Sequence, residues 1–226
     1  MNFSLSSILE RIFAIFLIFL FLPILFIISF LIFFIDGKEI FFSQERVGLN
    51  AKRFKLYKFR TMKINNSQVQ ITASNDSRIT KLGKILRKFK LDELPQLYNV
   101  VNGSISFIGY RPEVPMYVDK SNELWEKVLQ NKPGITSRAT ILFRNEEDIL
   151  KNATMEKEIL YKEYILPFKL ILFIKENKKK SFSKKILTLI YTIYYIIFPS
   201  FLNNLSENDL INFVNEYKKN KKDYFN

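Results

Sequence analysis

The chain has 226 residues, 48% hydrophobic and 25% charged, with no Cys and no His, which is room for one compact domain plus a membrane element. The two absences exclude cysteine nucleophiles, disulfides, imidazole bases and thiolate or imidazole zinc sites, so acid–base or metal chemistry must run on Asp and Glu, helped by Lys, Arg, Tyr and Ser. The net charge of +13 suits phosphate-rich partners: nucleic acid, an anionic membrane face or a phosphorylated small substrate.

Ile12 to Ile35 is a run of 24 residues without a charge. As a helix it is about 36 Å long, enough to cross the hydrocarbon core. It is too long for a cleaved signal peptide and has no small-x-small cleavage site. Pro23 sits at its middle, where a proline removes one backbone hydrogen bond and kinks the helix. Two readings stay open on these residues: a kinked spanning helix, or a re-entrant helix that bends at Pro23 and returns to its starting side. Arg11 before the run and Asp36, Lys38 and Glu39 after it give no deciding charge asymmetry.

After Gly37, Ile40 to Val47 is β-prone, Gly48-Leu49-Asn50 is turn-like, and Arg53 to Arg60 alternates apolar and basic residues, which predicts a β-hairpin. A polar loop, Asn65 to Ser77, follows. Arg78 to Lys90 predicts an amphipathic helix, with Ile79, Leu82, Leu86 and Phe89 stepping by three and four and lysines on the other face. Such a helix suits an ordinary protein surface or, beside a long membrane segment, the headgroup layer. Further helices are expected over Pro95–Val101, stopped by Asn102-Gly103, over Ser121–Leu129, and over Asn145–Phe173 with a break at Pro167. The lysine-rich cluster Lys175 to Lys185 precedes Ile186–Leu202, a Tyr-rich apolar stretch interrupted by Pro199 and too short to span, so an interfacial placement is expected. The tail from Asn203 is polar and Lys-rich.

Asp92-Glu93 stands between the basic helix and the next, with Pro95 just inside that second helix, which puts both carboxylates at or near a helix N-terminus. Acidic residues open many helices simply as caps. The catalytic reading rests on the surroundings: Lys58, Arg60, Arg78, Arg87 and Arg111 are candidates to converge on the pair and clamp a diphosphate. With no His in the chain, an ionised carboxylate is the best nucleophile available, and an adjacent carboxylate can hold Mg²⁺ against phosphate oxygens.

Five strings occur in order: Gln44-Glu45-Arg46-Val47-Gly48, Lys58-Phe59-Arg60-Thr61-Met62, Leu91-Asp92-Glu93-Leu94-Pro95-Gln96-Leu97, Gly109-Tyr110-Arg111-Pro112 and Lys132-Pro133-Gly134-Ile135-Thr136. Together, over roughly Phe41 to Asn145, they closely resemble the bacterial sugar transferase family, the monotopic polyprenyl-phosphate phosphoglycosyl transferases. The resemblance implies transfer of a sugar-1-phosphate from a UDP-sugar to undecaprenyl phosphate, with release of UMP and a requirement for Mg²⁺. It implies Asp92 as the nucleophile forming a phosphosugar-aspartyl intermediate, and Glu93 as its partner in metal or proton handling. Members carry a re-entrant N-terminal helix, so the resemblance favours that reading of Pro23. Departures are Tyr110 where Pro is common, Leu22 where Ser often precedes the bending proline, and Ser137-Arg138-Ala139 with Arg144-Asn145-Glu146-Glu147. The last two resemble a subgroup variant that bears on sugar choice, and they add Arg138 and Arg144 to the substrate-binding candidates.

The expected molecule is mostly α with a small β-hairpin, monotopic, and sits on the cytoplasmic face of the bacterial inner membrane. Its expected segments are a re-entrant membrane helix (1–36), a catalytic domain (37–180), an interfacial segment (181–202) and a polar basic tail (203–226). Expected partners are the UDP-sugar, undecaprenyl phosphate, anionic lipids, a second copy of the chain and other glycan-pathway enzymes. A membrane-anchored scaffold without turnover is the rival reading. Nucleic-acid binding is set aside, because anionic lipid and pyrophosphate better explain a basic chain with a long apolar run.

Overall fold

In the computed structural model, the uncharged run forms one long helix, α1 (Leu5–Leu31), followed by a single π-turn over Ile32–Asp36. Its surface is apolar on nearly every side, and Phe16, Phe19, Phe26 and Phe30 are among the many large side chains left exposed. A helix of this kind is stable only where its surroundings are also apolar, so it is fitted to membrane association. The helix runs through Pro23 without interruption. Ser29 Oγ donates to the Leu25 carbonyl at 2.7 Å, a local bond of the kind that bends helices.

The chain folds into two compact units. The first comprises Met1–Asn66, Ser77–Val118 and Asn131–Ile135, and the second Ser67–Asp76, Asp119–Gln130 and Thr136–Asn226. Within them the structure describes residues 5–63, 72–177, 182–198 and 205–220. Parts of the expected polar loop 65–77, of the lysine cluster 175–185, of the apolar stretch 186–202 and of the tail 203–226 lie outside the described residues.

In the first unit, β1 (Phe41–Val47) and β2 (Arg53–Phe59) form the expected antiparallel hairpin, with register pairs running from Phe41–Phe59 to Val47–Arg53. Gly48 and a short 3-10 turn at Leu49–Ala51 connect them, with Asn50 and Ala51 at positive φ. Helix α2 (Lys81–Lys88) begins at Thr80, whose Oγ1 accepts from Gly83 N–H at 2.9 Å. A β-carbon at Gly83 would collide with the Thr61 carbonyl, so only glycine lets α2 lie this close to the end of the hairpin. Ile28, Ile32, Phe59 and Leu86 form one core cluster with Leu25, Ile40, Leu82, Leu91 and Leu94 packed around it.

Helix α3 (Gln96–Val101) packs on α1 and β2. Its fully buried Asn99 accepts from Tyr57 N–H at 3.0 Å and donates to the Lys55 carbonyl at 2.8 Å, stitching helix to hairpin. Two short strands, β3 (Ser106–Ile108) and β4 (Gly134–Thr136), pair in a second small sheet. Gly109 and Gly134 cross there backbone to backbone, each occupying the space a β-carbon of the other would need.

Both ends of α1 are held by this same unit. Near the start, Ala14 is buried and Phe13 meets the Phe107 ring at 5.5 Å, while the Arg11 guanidinium lies over Gly103. Near the end, Ile28 and Ile32 enter the Phe59–Leu86 core.

The second unit is helical. It contains α4 (Glu123–Leu129), α5 (Arg138–Leu142), α6 (Glu146–Lys151), α7 (Lys157–Leu160), α8 (Leu166–Asn177), α9 (Phe182–Ile197) and α10 (Glu207–Lys219). The break expected at Pro167 lies instead at 152–156, between α6 and α7. Helix α7, a π-turn over Tyr161–Ile165 and α8 run on without a non-helical residue, so Pro167 lies inside the helical run, directly after the π-turn. At the break, Glu207 accepts from Thr154 N–H at 2.8 Å and Met155 N–H at 3.3 Å, which fastens α10. The polar tail hides a short apolar face: Leu210, Val214 and Tyr217 are buried, and Ser206 with Asp209 forms a capping box ahead of them.

Candidate active site

Asp92 and Glu93 occupy a tight corner. Helix α2 stops at Lys88, and Lys90 takes a left-handed conformation (φ 56°, ψ 21°) unusual for a residue with a β-carbon. A 3-10 turn over Leu91–Glu93 then leads into α3. Leu91 and Leu94 anchor the corner in the core, and Asp92 between them is only 6% exposed. The carboxylates therefore precede α3 on a turn of their own.

Two of the expected cations converge on Glu93. Arg111 grips it with two bonds, Nη2 to Oε1 at 2.6 Å and Nη1 to Oε2 at 3.2 Å. Lys58 Nζ donates to Oε1 at 3.2 Å. Burial on its own would raise the Glu93 pKa, but Arg111, then Lys58 and Lys90, overcome it and hold the carboxyl well below its ordinary value. The Lys58 ammonium is pushed below its ordinary range by burial first, with Arg111 and Arg46 adding to the effect and Glu93 and Asp92 opposing it. Glu93 is thus fixed as an anion between two cations.

Asp92 is different. Its Oδ1 is buried with no hydrogen-bond partner, and so is Nε2 of Gln96 four residues on. Buried polar atoms are almost always satisfied, so this carboxylate oxygen has capacity left to accept a group from outside. Among the described residues no cluster of three or more acidic groups gathers as a metal cage. That fits Mg²⁺ only in the mode that uses one or two carboxylates together with substrate phosphates, and Asp92 Oδ1 meets that requirement.

The other expected cations have different placements. Arg60 Nη2 donates to the carbonyls of Asp36 at 2.6 Å and Gly37 at 3.0 Å. Arg87 Nε donates to Thr61 Oγ1 at 2.9 Å. Arg78, through its carbonyl, accepts from Lys63 N–H at 2.8 Å, beside the bridge between Met62 and Ile79. Arg138 and Arg144 belong to the second unit, where Arg138 pairs with Glu176 at 3.2 Å and Arg144 N–H closes α5 on the Ile141 carbonyl at 3.1 Å.

Two further pairs of residues position the site. Arg46 reaches Glu113 at 3.5 Å and donates to the Pro112 carbonyl at 3.0 Å, bracing the loop that carries Arg111. Asp36, at the end of the π-turn, accepts from Thr80 Oγ1 at 2.8 Å, so the residue that caps α2 also holds the end of the membrane segment. Arg46 stood inside one of the ordered strings. Glu113, Asp36 and Thr80 carried only their charge or polarity.

A family model described as bacterial sugar transferase matches residues 1–175. The galactosyl transferase CpsE of Streptococcus agalactiae is 42% identical over 123 residues, 49% of this chain and 27% of that protein. The UDP-glucose:undecaprenyl-phosphate glucose-1-phosphate transferase of Xanthomonas campestris pv. campestris is 40% identical over 129 residues, 54% of this chain and 26% of that protein. A putative undecaprenyl-phosphate N-acetylgalactosaminyl 1-phosphate transferase of Bacillus subtilis is 41% identical over 120 residues, 52% of this chain and 63% of that protein. The chain thus spans about a quarter of the first two relatives and less than two thirds of the third. Helices α9 and α10 lie beyond the matched residues.

Proposed function

The chain belongs to the bacterial sugar transferase family, and we propose on that premise that it moves a sugar-1-phosphate from a UDP-sugar to undecaprenyl phosphate and so starts a surface glycan or glycoconjugate. The observation that carries this reading is the contrast within one corner: Asp92, buried with an unpartnered oxygen, stands beside Glu93, locked as an anion by Lys58 and Arg111. One carboxylate is held in reserve and the other is committed to shaping the charge around it.

In the first step an Asp92 carboxylate oxygen attacks the β-phosphorus of the UDP-sugar. The bond from that phosphorus to the bridging oxygen breaks, and UMP leaves with the oxygen and its electron pair. The sugar-phosphate is now an acyl phosphate on Asp92. In the second step a phosphate oxygen of undecaprenyl phosphate attacks the same phosphorus, the Asp92 oxygen leaves, and the carboxylate is restored. Arg111 and Lys58 lie at the corner as cations that can turn from Glu93 to the diphosphate, and Glu93 holds them in place between turnovers. Asp92 would hold Mg²⁺ together with the diphosphate oxygens, and the ion would neutralise charge on the transferring phosphoryl group. Both Glu93 oxygens already face cations, which leaves it an electrostatic partner.

Membrane placement follows the same logic. A straight spanning helix has only one end on a cytoplasmic unit, whereas α1 meets the same unit near both ends. This supports a re-entrant α1 turning at Pro23; the cytoplasmic face of the bacterial inner membrane and an interfacial α9 belong to the same proposal.

The deciding experiment is UMP release from a panel of UDP-sugars with undecaprenyl phosphate and Mg²⁺. The wild-type chain turns over at least one sugar and, without acceptor, gains the mass of one sugar-phosphate. Asp92→Asn does neither. Full activity in Asp92→Asn would sink the covalent mechanism, and no UMP from any sugar would leave a scaffold.

A further inference from the structure

The open end of the hairpin carries Phe41 and Phe42, 57% and 48% exposed. Consecutive strand residues point to opposite faces, so no single core could cover both. In water this is an unfavourable arrangement, since each exposed ring forgoes the gain of burial. A medium that is apolar on both sides of the strand removes the conflict.

We propose that Phe41 and Phe42 form a wedge that enters the acyl–headgroup boundary of the lipid bilayer, a second point of insertion beside α1. The inference rests on the membrane reading of α1. What points to lipid is continuity: the wedge and the end of α1 are one surface. The Phe41 ring stacks on Phe59 at 5.4 Å, and Phe59 shares its core cluster with Ile32 of the π-turn. The same π-turn exposes Phe33, Phe34 and Ile35. Arg60 fastens the two pieces, its N–H donating to the Ile40 carbonyl at 2.9 Å and its guanidinium to Asp36 and Gly37.

The wedge also sets the depth of the site. Phe42 pairs in register with Lys58, and directly opposed residues share one face of a hairpin. The lysine that holds Glu93 therefore stands on the same face as the inserted ring and beside it. With Phe42 at the acyl boundary, the Lys58–Glu93 pair lies at the level of the lipid phosphates, where an acceptor phosphate waits.

The chain has no cysteine, so single cysteines can be placed at will. Phe26→Cys in α1, Phe41→Cys, Phe42→Cys and Leu49→Cys are each labelled with a polarity-sensitive fluorophore in vesicles of zwitterionic and anionic phospholipid. Leu49 sits past the far end of β1, roughly 23 Å away along a seven-residue strand. Labels at 41 and 42 should emit to the blue and be quenched by iodide several-fold less than the label at 49, matching position 26. If 41 and 42 are quenched like 49 while 26 is protected, the wedge is wrong and the membrane reading of α1 stands. If 26 is also quenched, both fall. Protection at 41 and 42 that fades as protein is diluted in lipid would name a second copy as the occupant and overturn the proposal. As an independent readout, Phe42→Ser should raise KM for acceptor presented in vesicles several-fold and leave kcat in detergent near wild type. An equal loss of kcat in detergent would assign Phe42 to folding instead.

Discussion

Glu93 and Asp92 are neighbours with opposite expectations for mutation. Replacing Glu93 by Gln leaves Lys58 and Arg111, both mostly buried, without their anion, and breaking such a pair costs about 3 kcal/mol. The thermal midpoint of Glu93→Gln should fall accordingly. Replacing Asp92 by Asn instead removes a charge whose Oδ1 has no partner, so that variant should melt at or above the wild-type temperature while losing activity. The pH dependence follows from the same contacts. Because the folded Glu93 pKa is depressed, its stabilisation is present above the ordinary carboxylate value and is lost as pH falls towards the lower folded value. Glu93 is also the largest influence raising Lys58, against burial that lowers it. In Glu93→Gln the Lys58 ammonium therefore loses its proton at lower pH, and the alkaline limb of the kcat/KM profile should move acidward. An unmoved limb would mean that Lys58 is not the group titrating there. The pair itself was legible because Asp92-Glu93 sits inside a string of ordered motifs. The destinations of the cations were not, because Arg60 is directed by two carbonyls at the end of α1 that sequence spacing does not bring near it.

At the level of elements, the strand-end run Lys58 to Thr61 divides its work among four neighbours. Lys58 faces the carboxylates, Phe59 fills the core, Arg60 holds the end of the π-turn, and Thr61 receives Arg87 of α2. Thr80 completes the junction by capping α2 while it donates to Asp36. Thr80→Ala removes both bonds and should cost about 1 kcal/mol for the cap alone. Thr80→Ser should restore stability, measured by thermal unfolding in detergent. Because α2 leads directly into the corner at Lys90, loss of this junction should also lower kcat more than it raises KM for the UDP-sugar. For α1, single cysteines at Leu5 and Lys38 should label from the same side of a sealed vesicle if the helix is re-entrant, and from opposite sides if it spans. The hairpin and α2 were legible from periodicity, although α2 covers only Lys81–Lys88 of the expected 78–90, and α1 from its long uncharged run. The break near Pro167 was misplaced because the helical run passes through that proline, with a π-turn just before it, and sequence spacing does not reveal a π-turn.

For the whole molecule, the charge of +13 and the long apolar helix act on different stages of one event. On the proposed membrane placement, long-range attraction would bring the chain to an anionic bilayer and be screened by salt, whereas burial of α1 would not. Raising ionic strength should therefore slow capture by anionic vesicles strongly, yet release little protein already inserted, as stopped-flow binding and flotation would show. Equal loss in both assays would place the attachment in charge alone. The mainly helical character and the β1–β2 hairpin could be read from the chain, because they rest on local patterns of apolar and charged residues. The small β3–β4 sheet could not, because three-residue strands carry no periodicity; α10 was passed over within a polar tail although Leu210, Phe213, Val214 and Tyr217 recur at helical spacing.

The crossing of Gly109 and Gly134 has a genetic consequence. A β-carbon at either residue meets the other's backbone and not a side chain, so nothing encoded at the partner codon can make room for it. Most damaging substitutions in a packed protein have a suppressor somewhere nearby; this pair has none of the side-chain kind. A selection for second-site revertants of Gly134→Ala should therefore recover true reversion and no compensating change at Gly109.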